Sequence, residues 1–212
     1  MAENPSVVRP PYWDDACAQL MRADRVMRKL IPEHGQAQLQ SRGDAFQTLA
    51  RSVVGQQISV KAAQSVWDRL LVLVGQATPE RLLQHKPQAL RQAGLSQRKC
   101  EYLQDLAAKF EAGQVHPRQW DSMPDEAIIA ELVAIRGIGR WTAEMFLIFY
   151  LMRPDVLPLD DLGLQRGISL RYFSGEAVSR SDLREVAAAW APWRSVGTWY
   201  IWRSLDPVAV EY

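Results

Sequence analysis

The stretch Leu132-Val-Ala-Ile-Arg-Gly-Ile-Gly-Arg-Trp-Thr-Ala143 sets two glycines around one isoleucine between helix-compatible sequences. An apolar helix closes through Leu132 and Ile135, a tight Gly-Ile-Gly turn follows, and a second helix begins just past Gly139. Gly137 and Gly139 permit positive φ and leave the backbone bare, while Ile138 between them can plug into the core and fix the turn. With no side chain in the way, the loop and the N-terminus of the next helix, residues Gly137, Ile138, Gly139, Arg140 and Thr142, can present backbone N–H groups to a phosphate. A plain turn between helices also uses glycine. The longer pattern, Leu-x-x-Ile-x-Gly-Ile-Gly-x-x-Thr-Ala, favours DNA as the owner of that phosphate.

Outward from the hairpin, nearly every segment has helical periodicity. Phe46, Leu49, Ala50, Val53 and Val54 fall on one face, with Asp44 placed to cap that helix and Gln47 to reach back. Thr78-Pro79 opens another helix with a cap residue and a proline at its first position, and Ser96 and Ser181 stand where two more caps belong. Gly94 and Gly113 read as C-terminal stops. A helix from near Pro124 to Ile135 turns Ile128 and Leu132 inward, and the helix after Gly139 turns Met145, Ile148, Phe149 and Met152 inward. No stretch alternates apolar and polar residues long enough for a sheet, so the expected class is all-α. Pro154 and Pro158 then interrupt the helices and put Asp160-Asp161 at the start of another. A helix N-terminus favours an ionised carboxylate. Ordinary N-capping is one reading of the pair, a functional carboxylate the other, and the local sequence leaves both standing.

The bulk properties narrow the field by exclusion. With 212 residues and 48% hydrophobic composition the chain has material for one domain or two small ones. A formal net charge of +1 means that any DNA affinity comes from local placement of charge. Cys17 and Cys100 are the two cysteines, too few and too far apart for a disulfide framework or an iron–sulfur cluster. His34, His85 and His116 stand without a second ligand at metal-binding spacing and read as solvated surface residues. The longest apolar run, Met145 to Met152, is far below membrane-spanning length, and the N-terminus is acidic and proline-containing rather than basic and then apolar. These features point to a soluble cytoplasmic protein with no membrane partner.

Taken with its neighbours, the hairpin resembles the signature of the helix-hairpin-helix superfamily of DNA glycosylases. In that family an essential aspartate follows the hairpin by about twenty residues, and Asp161 stands twenty residues after Trp141. Leu157-Pro-Leu-Asp-Asp-Leu-Gly-Leu-Gln-Arg166 resembles the Pro-x-Asp-Asp segment of the 3-methyladenine branch, whose second aspartate is catalytic; the resemblance assigns that role to Asp161 and leaves Asp160 to capping or surface hydrogen bonding. Val53-Val-Gly-Gln-Gln-Ile-Ser-Val-Lys-Ala-Ala63, Gly94-Leu-Ser-Gln-Arg-Lys99 and Ala191-Pro-Trp-Arg-Ser-Val-Gly-Thr-Trp-Tyr-Ile-Trp202 fit the same branch. The match runs from roughly Phe46 to Trp202 and corresponds to the short form that lacks an N-terminal β-rich domain.

The resemblance implies a mechanism. Strand-cleaving relatives of the endonuclease III type carry a Schiff-base lysine where this chain has Trp141, so hydrolysis without strand cleavage is expected. Trp141 and Trp202 fall at pocket positions, where an aromatic face favours a cationic alkylated base; with eight tryptophans in the chain, core packing is the competing reading, and it is the one that suits Trp193, with Tyr150. The family's wedge after a Gly-Gln pair maps onto Gln57, beside Gln56, where close relatives can have leucine and where helix-turn capping is the plain alternative. The implied activity is excision of alkylated purines such as 3-methyladenine and 7-methylguanine from double-stranded DNA, by a monomer without cofactor; hairpin carbonyls in this family can hold a monovalent cation. Two alternatives are a glycosylase for oxidised, deaminated or mismatched bases and a non-catalytic DNA-binding module. The expected architecture is two helical subdomains, residues 44–150 with the hairpin at 132–143, and residues 1–43 together with 151–212, the flipped base lying in a cleft between them.

Overall fold

The computed structural model describes residues 10–35, 39 and 44–205. The N-terminal stretch discussed above, residues 1–9, lies outside them. Described helices are α1 (Trp13–Ala23), α2 (Met27–Glu33), α3 (Ala45–Gly55), α4 (Val60–Val74), α5 (Pro79–Leu83), α6 (Pro87–Leu90), α7 (Gln97–Glu111), α8 (Asp125–Val133), α9 (Arg140–Phe149), α10 (Leu162–Tyr172), α11 (Arg180–Ala188) and α12 (Arg194–Arg203). Among the described residues there is no strand, as the sequence implies. No helix among them is long and apolar enough to cross a membrane. The chain divides into two compact units, residues 43–146 and residues 1–42 with 147–212.

In the unit of residues 43–146, periodicity and burial agree. Phe46, Leu49, Ala50, Val53 and Val54 of α3 are all buried, as are Val66, Trp67, Leu70 and Val74 of α4 and Cys100, Leu103, Leu106 and Ala107 of α7. Four of its helices, α3, α4, α5 and α7, start on a side-chain oxygen acceptor: Asp44 Oδ1 accepts from Gln47 N at 2.9 Å, Ser59 Oγ from Ala62 N at 3.3 Å, Thr78 Oγ1 from Arg81 N at 3.3 Å and Ser96 Oγ from Lys99 N at 3.3 Å. These bonds satisfy N–H groups that the first helical turn leaves without partners. Gly113 ends α7 at φ +63°, and the following Gln114 N–H returns to Lys109 O at 2.9 Å. The indole of Trp120 is buried, donates to Glu131 Oε1 at 2.7 Å and meets Phe146 edge-on at 5.2 Å.

The unit formed by the chain ends is aromatic at its centre. Trp13 meets Trp199 edge-on at 5.2 Å, and Trp190 and Tyr200 are almost fully buried. Asp24 is a buried carboxylate that accepts from Val26 N, Met27 N, Tyr172 Oη and Trp190 Nε1 at 2.7 to 3.2 Å, so every bond water would make has a protein substitute. Helices α10 and α12 approach closely at Gly167, where a Cβ would lie 2.2 Å from Ile201 Cγ2.

Three readings of the sequence need correction. Ser179, not Ser181, caps α11: its Oγ accepts from Asp182 N at 3.2 Å while Asp182 Oδ2 accepts from Ser179 N at 2.7 Å, a reciprocal box that the Ser-x-x-Asp spacing makes possible. Helix α9 stops at Phe149, so Met152 is not on it; Met152 has φ +51°, and Arg153 N–H turns back to Leu147 O at 2.9 Å just before Pro154. His34 is not a solvated histidine, because its Nε2 is buried and burial lowers its pKa. By contrast His116 is exposed and pairs with Glu131 at 2.7 Å.

Gly167→Ala forces a methyl into the α10–α12 contact. The expected loss is about 1–3 kcal/mol of stability, read as a lower urea midpoint at unchanged slope.

Candidate functional site

The unit of residues 43–146 holds the hairpin on several sides. Ile138 is buried, as its place between the glycines implies. Gly137 has φ +84°, and a Cβ there would lie 2.2 Å from Tyr102 Cδ2, so both backbone and space demand glycine. Gly139 does not use the positive φ that glycine permits, and a Cβ there would meet nothing within 4 Å. Its contribution is therefore a bare approach to the α9 N-terminus rather than a special turn.

Helix α7 pins this loop through contacts that no motif announced. Besides the Tyr102 ring, Asp105 Oδ2 accepts from Arg136 N at 2.8 Å, and Glu101 pairs with the Arg136 guanidinium at 3.3 Å. On another side, Gln56 Nε2 donates to Gly137 O at 2.8 Å. The two glutamines therefore have different surroundings: Gln56 is half-buried against the hairpin, whereas Gln57 is exposed at φ +60° beside Ile58, which is 41% exposed. Lys99 Nζ donates to Val54 O at 2.8 Å near the end of α3, and burial lowers its pKa. Gly94 adopts φ +94° where a Cβ would strike Arg69, whose Nε donates to Ala93 O. These bonds give the Gly94–Lys99 block a structural reason.

Around the α9 N-terminus, Trp141 is 39% exposed and Thr142 half-buried. Arg140 grips Glu126 with two parallel bonds of 2.9 and 2.5 Å and Glu144 with a third of 2.9 Å. These acids raise the guanidinium pKa further and hold the Glu126 carboxyl below its usual range. Glu126 is itself well exposed.

Asp161 belongs to the other unit. It is the N-cap of α10, 8% exposed, and its Oδ1 accepts from Leu164 N at 2.6 Å and from Trp202 Nε1 at 2.7 Å. The half-buried indole of Trp202 lies almost parallel to the Phe149 ring, centroids 5.7 Å apart and planes 12° apart. A Cβ on Gly163 would sit 3.1 Å from Asp161 Oδ1 and 3.2 Å from Trp202 Cδ1. Asp160 is exposed and paired with Arg180. Trp193 packs, as expected: it stacks on Tyr12 at 5.6 Å and donates to Gln19.

The extended segment ahead of Asp161 is tied to the start of α12. Arg194 forks onto Asp155 at 2.6 and 2.7 Å, Ser195 Oγ donates to Arg153 O at 2.6 Å and accepts from Val156 N at 2.9 Å, and Ser195 N donates to Pro154 O at 3.0 Å. The Ala191–Trp202 block thus positions the segment entering Asp161 and also supplies its indole partner. The family resemblance singled out Trp202 as an aromatic wall; its hydrogen bond to Asp161 had no signal in the sequence.

The chain matches the HhH-GPD superfamily of base excision DNA repair proteins over residues 50–193 and belongs to it. It is 29% identical over 180 residues to DNA-3-methyladenine glycosylase 1 of Schizosaccharomyces pombe, across 83% of this chain and 79% of that one. It superposes with a TM-score of 0.83 on a DNA-3-methyladenine glycosidase from Bacillus halodurans, at 37% identity, covering 98% and 95% of the two chains. The S. pombe 3-methyladenine DNA glycosylase solved with abasic DNA gives a TM-score of 0.77 at 28% identity, covering 93% of this chain and 99% of that one. The family resemblance read from the sequence blocks is borne out.

Gly137→Ala meets both a positive φ and the Tyr102 ring. It is expected to cost about 1–3 kcal/mol in chemical denaturation. Adding Tyr102→Ala should recover part of the Gly137→Ala penalty, because only the steric component is relieved.

Proposed function

We propose that this chain is a monofunctional DNA glycosylase of the 3-methyladenine type, which hydrolyses the N-glycosidic bond of alkylated purines in double-stranded DNA with Asp161 as its catalytic carboxylate. The observation that carries this reading is the buried Asp161 side chain, held through Oδ1 by Leu164 N and Trp202 Nε1. A carboxylate oriented by its surroundings needs little rearrangement when positive charge appears beside it.

The remaining residues take the parts their chemistry suits. The hairpin backbone from Gly137 to Thr142 and the α9 N-terminus face a phosphate and fix the register of the duplex. A monovalent cation, where bound, would sit on hairpin carbonyls such as those of Ile135 and Gly137, each of which already accepts one hydrogen bond and keeps a second lone pair, and it would supply positive charge toward that phosphate. Flipping the nucleotide costs a few kcal/mol and is cheapest at a destabilised lesion. Gln57, exposed on its left-handed turn, is the residue placed to enter the vacated stack, while Gln56 holds the loop to the hairpin. Trp141 and Trp202 offer indole faces to a base that carries formal positive charge.

Departure of such a base leaves an oxocarbenium-like sugar. At ~4 Å and an effective dielectric near 20, one carboxylate is worth about 4 kcal/mol, or roughly a thousandfold in rate. That suits a glycosidic bond already weakened by alkylation. Asp161 also serves to orient the attacking water. With Trp141 where strand-cleaving relatives carry lysine, no covalent enzyme–sugar intermediate forms and the strand is left intact.

On alkylated duplex, Asp161→Asn should keep its affinity and lose about three orders of magnitude in the rate of free-base release. Full activity in that variant would sink the assignment. Nicking by the wild type before any alkaline treatment would contradict the hydrolytic, monofunctional reading. A second expectation concerns Arg140, whose guanidinium is shared with Glu126 and Glu144. If a phosphate replaces Glu126 on Arg140, Glu126→Gln tightens binding to undamaged duplex and makes its salt dependence steeper, by a slope of up to ~1. Fluorescence anisotropy at several salt concentrations measures both, and unchanged binding removes Arg140 from the phosphate contacts.

A further inference from the structure

We infer that Trp202 is a positioning residue for Asp161, and that the missing side chain at Gly163 is what lets the indole and the carboxylate meet; this rests on the catalytic reading of Asp161. The indole edge donates from Nε1 to Asp161 Oδ1 at 2.7 Å, the same oxygen that caps α10 through Leu164 N at 2.6 Å. Two donors from different directions on one oxygen fix both the carboxylate's rotation and its tilt. A helix cap alone fixes less, because one bond leaves the plane of the carboxylate free to turn about it.

The indole is itself held. One face lies on the Phe149 ring, with a 12° angle between planes, and Phe149 is the last residue of α9. A ring stacked on one face and hydrogen-bonded at its edge has little freedom to swing away from Asp161. At Gly163, in the first turn of α10, a Cβ would stand 3.1 Å from Asp161 Oδ1 and 3.2 and 3.3 Å from Trp202 Cδ1 and Nε1. These separations are tighter than ordinary contacts, so any side chain there presses on the bond between the two. Gly163 is not at a positive φ; its value is space and not backbone freedom. Trp202 therefore has two separable properties, an aromatic face and an N–H edge, and the edge acts through Asp161.

A substitution that keeps the face and removes the edge separates them. Trp202→Phe retains a ring against Phe149 and for the base but has no donor. With methylated duplex under single-turnover and steady-state conditions, it should lower kcat by roughly ten- to hundredfold, the loss expected for a hydrogen bond to a charged group, while KM stays within about twofold. In an Asp161→Asn background the same substitution should change kcat by less than about twofold, because the group it acts through is gone. Wild-type kcat in Trp202→Phe, or the same loss in both backgrounds, overturns the inference while leaving the catalytic role of Asp161 intact. Full activity in Asp161→Asn overturns the catalytic reading and this inference with it. Circular dichroism melting checks each variant. Should Trp202→Phe not fold, Gly163→Ala carries the test with Trp202 in place: a several-fold fall in kcat at constant KM supports the inference, and an unchanged kcat overturns it.

Discussion

A carboxylate moved out of water must find donors inside the protein or lose more free energy than most single contacts return. Asp161 meets that demand with the first turn of α10 and with an indole from α12. The arrangement explains much of the unit around it. Arg194 and Ser195 tie the incoming segment to the head of α12, Gly167 brings α10 and α12 close together, and Trp202 follows one helix face further on. The same bonds that make the site cheap to bury also make it rigid, which is the condition for stabilising a charge that exists only in passing.

The hairpin solves a different electrostatic problem. A chain with a formal net charge of +1 has no general attraction for a polyanion, so in the proposed reading contact with phosphate falls to oriented backbone dipoles and a few placed side chains. Rigidity is again supplied from outside the motif: the Tyr102 ring fills the space a Gly137 side chain would need, Asp105 accepts from the Arg136 amide, and Gln56 donates to the Gly137 carbonyl. Arg140 is held by Glu126 and Glu144, which keeps a strong cation from being an indiscriminate one.

Much of this was legible before any coordinates. Periodicity named the buried face of α3 residue by residue, cap chemistry located the starts of α3, α5 and α7, and four blocks in order named the family. The errors have local physical causes. Two serines compete as caps ahead of α11, and only the carboxylate three residues after Ser179 decides between them. Apolar character runs through Met152, but Pro154 and the return of Arg153 N–H to Leu147 O end α9 earlier. Two glycines in a turn look equivalent in sequence, whereas the Tyr102 ring and a positive φ distinguish Gly137 from Gly139.

By itself the sequence determined which residues are helical, which face of each helix is apolar and which dozen residues bare their backbone, because those properties depend on neighbours within a few positions along the chain. It also marked Asp161, and left it with two readings, cap and catalyst. Tertiary structure added what the sequence lacked: the carboxylate caps α10 and simultaneously accepts from an indole forty-one residues away, so the cap is compatible with the proposed catalytic role. Contacts such as Trp202 with Asp161, Tyr102 with Gly137 and Arg140 with Glu126 join side chains whose separation in sequence has no period. Only the packing of helices against one another brings such groups within the 3 Å or so at which hydrogen bonds act.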